Sequence, residues 1–260
     1  EARRLSIRGQ LAEAESLFAL ALAYSPSSKR ANYRLARFYF DKLSQEKGLQ
    51  LLRQHGMVLD APRLSEAPVI DGRLDEPLWQ QAACADTFVQ YSSEHFAAVP
   101  SDVGTRICVA YREEDLYVGF LGHDSAPDSI VARISARDDV LWHDDILEIF
   151  IDPDFDHRSY LHVGINSRGV VSDGWVEASV RARDVRWDAA ASAAAFVGPD
   201  HWSVEYRLSL GQQDVPRPRP GDLWGLNFVR VFRGTEYSQW VRTYVNGGHS
   251  PDDFGVLRFN

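Results

Sequence analysis

The run Ile146-Leu-Glu-Ile-Phe-Ile-Asp152 constrains the fold more than any other part of the chain. Ile146, Glu148, Phe150 and Asp152 alternate with Leu147, Ile149 and Ile151. Successive side chains of a strand point to opposite faces, so the run predicts a β-strand with two unlike faces. One face is wholly aliphatic. The other sets the carboxylates Glu148 and Asp152 among Ile146 and Phe150. Trp142 stands just ahead, in the loop Trp142-His-Asp-Asp145. A mid-strand acid beside a loop tryptophan predicts a binding surface rather than plain core.

Other short runs obey the same rule. Strands are predicted from Thr105 to Tyr111, Leu116 to Gly122, Tyr160 to Asn166, Val170 to Val176, Trp202 to Leu208, Leu226 to Phe232 and Gln239 to Tyr244. Glu113-Glu-Asp115 and Asn166-Ser-Arg-Gly169 read as turns between neighbouring runs. Ile70-Asp-Gly72 reads as an edge strand entering a turn, since glycine tolerates positive φ. Many short strands with no alternating helices predict a mainly β protein, an antiparallel β-sandwich. Trp79, Trp202 and Trp224 lie in apolar contexts and are assigned to the core, with Asp71, Asp75 and Glu205 as turn anchors or partners of arginines.

Residues 1–57 follow a different period. Ala2, Leu5, Leu11, Ala14, Leu17, Phe18, Ala21 and Leu22 recur at helical spacing until Pro26 and Ser27-Ser28 interrupt them. Either serine can cap the next helix, which carries Ala31, Leu35, Ala36, Phe38 and Tyr39. Gly48, Leu51 and Leu52 suit a further helix ending near Gly56. The chain opens inside this pattern, as an excised fragment would. Residues 58–68, with Pro62 and Pro68, read as a linker, which leaves 69–260 for the sandwich.

The net charge of −9 disfavours nucleic acid and anionic membranes as partners. No apolar run approaches the ~18 residues of a membrane span. The two cysteines, Cys84 and Cys108, form neither a disulfide framework nor a metal motif and read as buried free thiols, with a bridge between them as the alternative.

Ordered motifs add a resemblance. They are Val69-Ile-Asp-Gly-Arg-Leu-Asp-Glu-Pro-Leu-Trp79, Leu116-Tyr-Val-Gly-Phe-Leu-Gly-His-Asp124, Trp142-His-Asp-Asp145, Glu148-Ile-Phe-Ile-Asp-Pro153, Trp202-Ser-Val-Glu-Tyr-Arg-Leu208, Trp224-Gly-Leu-Asn-Phe228 and Phe254-Gly-Val-Leu-Arg258. In this order they resemble the family 9 carbohydrate-binding modules and their DOMON-like relatives, over roughly residues 65–260. In the helical part, Ala14, Phe18, Ala21 and Pro26, then Leu35, Ala36, Tyr39 and Gly48, resemble about one and a half tetratricopeptide repeats.

The resemblance implies a non-catalytic, extracytoplasmic module (secreted, periplasmic or on the cell surface) that binds a poly- or oligosaccharide. Such modules clamp a terminal sugar between two tryptophans and bond its hydroxyls with glutamate, arginine and asparagine. Trp142 matches the first tryptophan and Glu148 the glutamate. The arginine falls on His162 and the asparagine on Gly164. The loop expected to hold the second tryptophan reads Asn246-Gly-Gly-His-Ser-Pro-Asp-Asp253, with Asn246 and His249 as its planar groups. Trp142 serves as a sugar plate or as packing. Glu148 meets hydroxyls or pairs with an arginine on a neighbouring strand. His162 meets ligand or is a hydrogen-bonded structural histidine. Trp175, Trp187, His162 and Tyr160 could also build a different surface.

Asp152, Asp154 and Asp156 alternate after the strand, with Asp124, Asp144 and Asp145 nearby. Clustered hard oxygen ligands suit calcium, which members of the resembled family carry as a structural ion. The alternative is a solvated acidic turn. Catalysis lacks a motif: Glu148 and Asp152 would stand about 13 Å apart along a strand, too far for a glycosidase pair. Two further readings stay open. One is a protein-interaction scaffold, with partners met through the helices. The other is a haem domain with two histidine ligands, since the one methionine, Met57, precedes the sandwich.

Overall fold

The computed structural model describes residues 1–91, 98–100, 103–180, 182–243 and 248–260. The chain divides into two compact units, Glu1–Val58 and Leu59–Asn260.

The first unit holds four helices: α1 (Ala2–Ile7), α2 (Leu11–Tyr24), α3 (Lys29–Lys42) and α4 (Gln45–Gln54). The periodic run that predicts one helix from Ala2 to Leu22 is broken at Gly9, whose φ of +78° ends α1. Ser28 caps α3 by accepting from the Ala31 amide, and Ser44 caps α4 by accepting from Lys47. Ala14, Leu35 and Phe38 form the buried centre, with Phe18 and Phe38 ring centroids 5.3 Å apart. Glycine is required at 48: a Cβ there would lie 2.9 Å from the Ala36 carbonyl oxygen on α3.

The second unit is mainly strand, with short 3-10 turns at Pro77–Gln80, Pro127–Ser129 and Pro251–Asp253. In chain order the strands are β1 (Val58–Ala61), β2 (Ala83–Ala85), β3 (Val89–Tyr91), β4 (Ala98–Pro100), β5 (Thr105–Arg112), β6 (Asp115–His123), β7 (Ile146–Asp152), β8 (Ser159–Asn166), β9 (Val171–Glu177), β10 (Ala182–Asp184), β11 (Ala191–Val197), β12 (His201–Ser209), β13 (Leu223–Phe232), β14 (Glu236–Gln239) and β15 (Gly255–Phe259). The larger sheet runs β10-β9-β8-β7-β13-β14-β3-β4, with β15 joining β13 to β1. The smaller runs β11-β12-β6-β5-β2. The expected sandwich is therefore present. The expected linker is not: β1 and the Arg63–Tyr111 bridge draw residues 58–63 into the sheets. The strand expected from Gln239 instead ends there, and Ile70-Asp-Gly72 forms a bend rather than an edge strand.

Leu147, Ile149 and Ile151 on β7, with Leu161, Val163 and Ile165 on β8, are fully buried on one face of the larger sheet. Its other face is also covered. Leu141, Ile146, Phe150, Tyr160, Val176, Val229, Val231 and Phe254 form a second apolar cluster there. Every residue of β7 is consequently buried, including both carboxylates. The smaller sheet is plated likewise, as Leu64 and Trp79 pack with Cys108, Ala110 and Tyr117. Glu205 of β12 fastens that plate, accepting from the Asp71 and Gly72 amides and from Trp79 Nε1 at 2.8, 2.9 and 2.9 Å. The three core tryptophans are placed as expected, Trp79, Trp202 and Trp224 all being buried.

Two cross-connections tie the unit together. Arg230 of β13, 1% exposed, donates to the carbonyls of Gly104 and His123 and to Thr105 Oγ1. Burial pulls its guanidinium down to about 10. Cys84 and Cys108 are not free thiols but a disulfide, because the β2–β5 register sets them opposite each other. β2 is a three-residue strand without a periodic signal, so this pairing is invisible in the sequence.

Candidate functional site

The site forms on the outer face of the larger sheet, where β7 and β8 lie side by side. Their register pairs Phe150 with His162 and Glu148 with Gly164. Glu148, Phe150, His162 and Gly164 thus share the outward face. Gly164 is the seat of Trp142: a Cβ there would come within 3.1 Å of the indole. The tryptophan, half-buried, stands over that gap and stacks on His162, with centroids 5.1 Å and planes 9° apart. His162 stacks in turn on Phe150, at 4.5 Å and 13°.

His249 closes the other end. Its ring packs edge-on against His162 and Phe150, at 4.7 and 5.2 Å, and its Nδ1 lies 2.8 Å from the Tyr160 hydroxyl. Gly248 makes this approach possible, since its φ is +78° and a Cβ would sit 2.9 Å from Phe150. The last expected residue, Asn246, lies outside the described residues.

Glu148 and His162 bond to each other, with Oε2 and Nε2 2.8 Å apart. The expected alternative of an arginine partner for Glu148 is replaced by this histidine. Burial pushes the Glu148 carboxyl up to about 7, against the opposing charges of His249 and Arg183. Burial, then the charge of Arg183, pulls the His162 imidazole down to about 3. Both groups are therefore neutral between these values, with the carboxylic acid donating to the ring nitrogen. His162 Nδ1 is buried and has no hydrogen-bond partner among the described residues.

One contributor escapes sequence reasoning and a second is only partly visible to it. Arg183 of β10 lies 5.3 Å from the Trp142 ring centroid and donates to Ser172. It is placed by the β9–β10 hairpin, which no turn signal announces. Phe150 was legible as an outward residue, two positions from Glu148, but its partner across β8 was not. Trp175 and Trp187 meet elsewhere, at 5.7 Å. Trp187 lines a separate cleft of about 310 Å³ with Asp184, Arg186 and Asp188.

The acidic residues divide into two sets. Asp144 accepts from the Arg133 and Ile134 amides and from Asn166. Asp145 accepts from Val131 and Arg233, and Asp124 from Ala126 and Arg233. These three pin the loop that carries Trp142. Asp152, Asp154 and Asp156 instead bring carboxylate oxygens within 4.8 Å of one another. Asp152 is fully buried; its Oδ2 accepts from the His157 amide while Oδ1 has no hydrogen-bond partner among the described residues. Burial, then the neighbouring Asp154, pushes its carboxyl up to about 8. An oxygen-only cluster with one orphaned buried oxygen and two exposed carboxylates fits a hard cation that retains water.

The second unit is thus a two-sheet β-sandwich with an aromatic and polar cluster on the outer face of one sheet. The profile of the family described as carbohydrate family 9 binding domain-like matches residues 70–257, and the chain belongs to that family. Among solved structures it is similar to a family 9 carbohydrate-binding module from Caldicellulosiruptor kristjanssonii in complex with cellotriose. That pair has 17% identity and a TM-score of 0.57, covering 78% of this chain and 93% of the other. The same module in complex with glucose gives 16% identity and a TM-score of 0.57, covering 78% and 94%. A protein from Bacteroides uniformis ATCC 8492 gives 14% identity and a TM-score of 0.62, covering 78% and 98%. No curated protein matches.

Proposed function

We propose that this chain is a non-catalytic glycan-binding module that takes a terminal sugar on Trp142. The observation that carries the reading is the half-buried indole held rigid at the sheet surface by His162, beside Glu148 and His249. Sugar rings present an apolar C–H face to an aromatic plate and hydroxyls to planar polar groups. The cellotriose and glucose complexes of the Caldicellulosiruptor module support a sugar as the ligand class. With one plate instead of two, this site gives less of its selectivity to shape and more to the polar groups around the indole.

Asp152, Asp154 and Asp156 hold a structural calcium ion in this reading. The ion supplies positive charge that relieves their repulsion and pins residues 152–156 beyond β7. The helices α1 to α4 are the end of a tetratricopeptide array, a reading supported by the close approach at Gly48. Extracytoplasmic location is supported by the Cys84–Cys108 disulfide, a bond that oxidising compartments preserve.

One observation favours the alternative, a protein-interaction scaffold without sugar binding: His162 covers a face of the indole. A glycan array separates the two. The glycan reading predicts binding by the whole chain that Trp142→Ala abolishes while circular dichroism stays unchanged. A blank array from folded protein, or binding that survives the substitution, would sink it.

A further inference from the structure

The cluster that supports Trp142 has a second property. Glu148, His162 and His249 each offer a ligand atom, and the three atoms lie within 4.8 Å of one another. We infer that these residues form a binding site for one divalent transition ion of the zinc class. The inference does not depend on glycan binding.

The donor set argues for this ion. Two imidazoles and a carboxylate suit zinc rather than calcium, which takes oxygen ligands alone. The geometry needs little change. Ligand atoms about 2 Å from a tetrahedral zinc stand about 3.3 Å apart. The Glu148 and His162 atoms are already 2.8 Å apart, so the ion replaces the proton of that hydrogen bond with a small outward shift. The third ligand closes in from within 4.8 Å.

One further observation points to a ligand. The Tyr160 hydroxyl, 2.8 Å from His249 Nδ1, orients that ring as outer hydrogen bonds orient metal-binding histidines. The carboxylate cluster on the same sheet behaves differently: Asp138, Asp173 and Asp188 are already drawn together by Arg137, which bonds Asp173 and Asp188 and pairs with Asp138. Three protein ligands leave a position open on zinc, next to the indole.

The test is a zinc titration of the whole chain, stripped with chelator and held in millimolar calcium to occupy oxygen-only sites. One equivalent of zinc should bind, and cobalt in its place should give visible d–d bands. His249→Ala, a half-buried loop substitution that leaves the sheet intact, should weaken zinc binding at least 100-fold and abolish the cobalt bands. His249→Cys should restore binding and shift the cobalt spectrum, as a thiolate ligand does. No saturable zinc uptake by the wild-type chain, or equal uptake by folded His249→Ala, would overturn the assignment.

Discussion

Residue by residue, the site trades solvent for contact. Glu148 and His162 are both buried, and their mutual hydrogen bond offsets part of the desolvation each suffers. The pH consequence follows from the raised carboxyl. Glu148 holds its proton up to about 7 when folded, against an ordinary value of 4.5. Its contribution to stability is full below 4.5 and is lost as pH rises through about 7. The loss is on the order of 3 kcal/mol for a shift of this size. His162, whose imidazole is pulled down by burial, gives the opposite slope in both proteins, so on going from pH 5 to pH 8 the urea midpoint should fall further, or rise less, in the wild type than in Glu148→Gln, which cannot ionise. Equal differences in both proteins would show that Glu148 is not the group responsible.

At the scale of elements, pattern legibility tracked length and alternation. β5 through β9, β12 and β13 each run seven residues or more and alternate or stay apolar, and all were predicted close to their observed bounds. β11 was missed although it is equally long, since Ala191-Ser-Ala-Ala-Ala carries little strand propensity and takes its conformation from pairing along β12. The strands β2, β3 and β4 are too short to show a period. The site was half legible for a related reason. Glu148 and His162 come from strand positions that the alternation reveals, and Trp142 from the loop just ahead of β7. The stack with Phe150 and the approach of Arg183 arise from cross-strand register, which a one-dimensional pattern does not hold. The disulfide belongs to the same hidden class. It closes a loop of sequence separation 24, for which chain entropy predicts about 3 kcal/mol of stabilisation. The Cys84→Ala, Cys108→Ala double variant should unfold at a lower urea concentration by about that free energy. Unchanged stability would place the bond outside the folded state's needs.

On the scale of the whole molecule, both sheets of the sandwich are plated on their outer faces, so a ligand meets loops rather than bare strands. The calcium reading belongs here, because an ion at Asp152, Asp154 and Asp156 would link the end of β7 to the loop that follows. A ligand bound only by the folded state raises stability with its concentration. Calcium at millimolar concentration should raise the unfolding temperature, chelator should lower it, and the Asp154→Asn, Asp156→Asn double variant should remove the response. A calcium response unchanged in that variant would move the ion elsewhere. The central claim, recognition of a sugar on Trp142, is tested most directly by titration calorimetry with the best glycan from the array. The comparison sets the wild type beside Trp142→Ala and Trp187→Ala. The account predicts that Trp142→Ala loses at least 100-fold in affinity (about 2.7 kcal/mol) while Trp187→Ala binds like the wild type. Loss of binding in Trp187→Ala with retention in Trp142→Ala would contradict it and move recognition to the cleft beside β10.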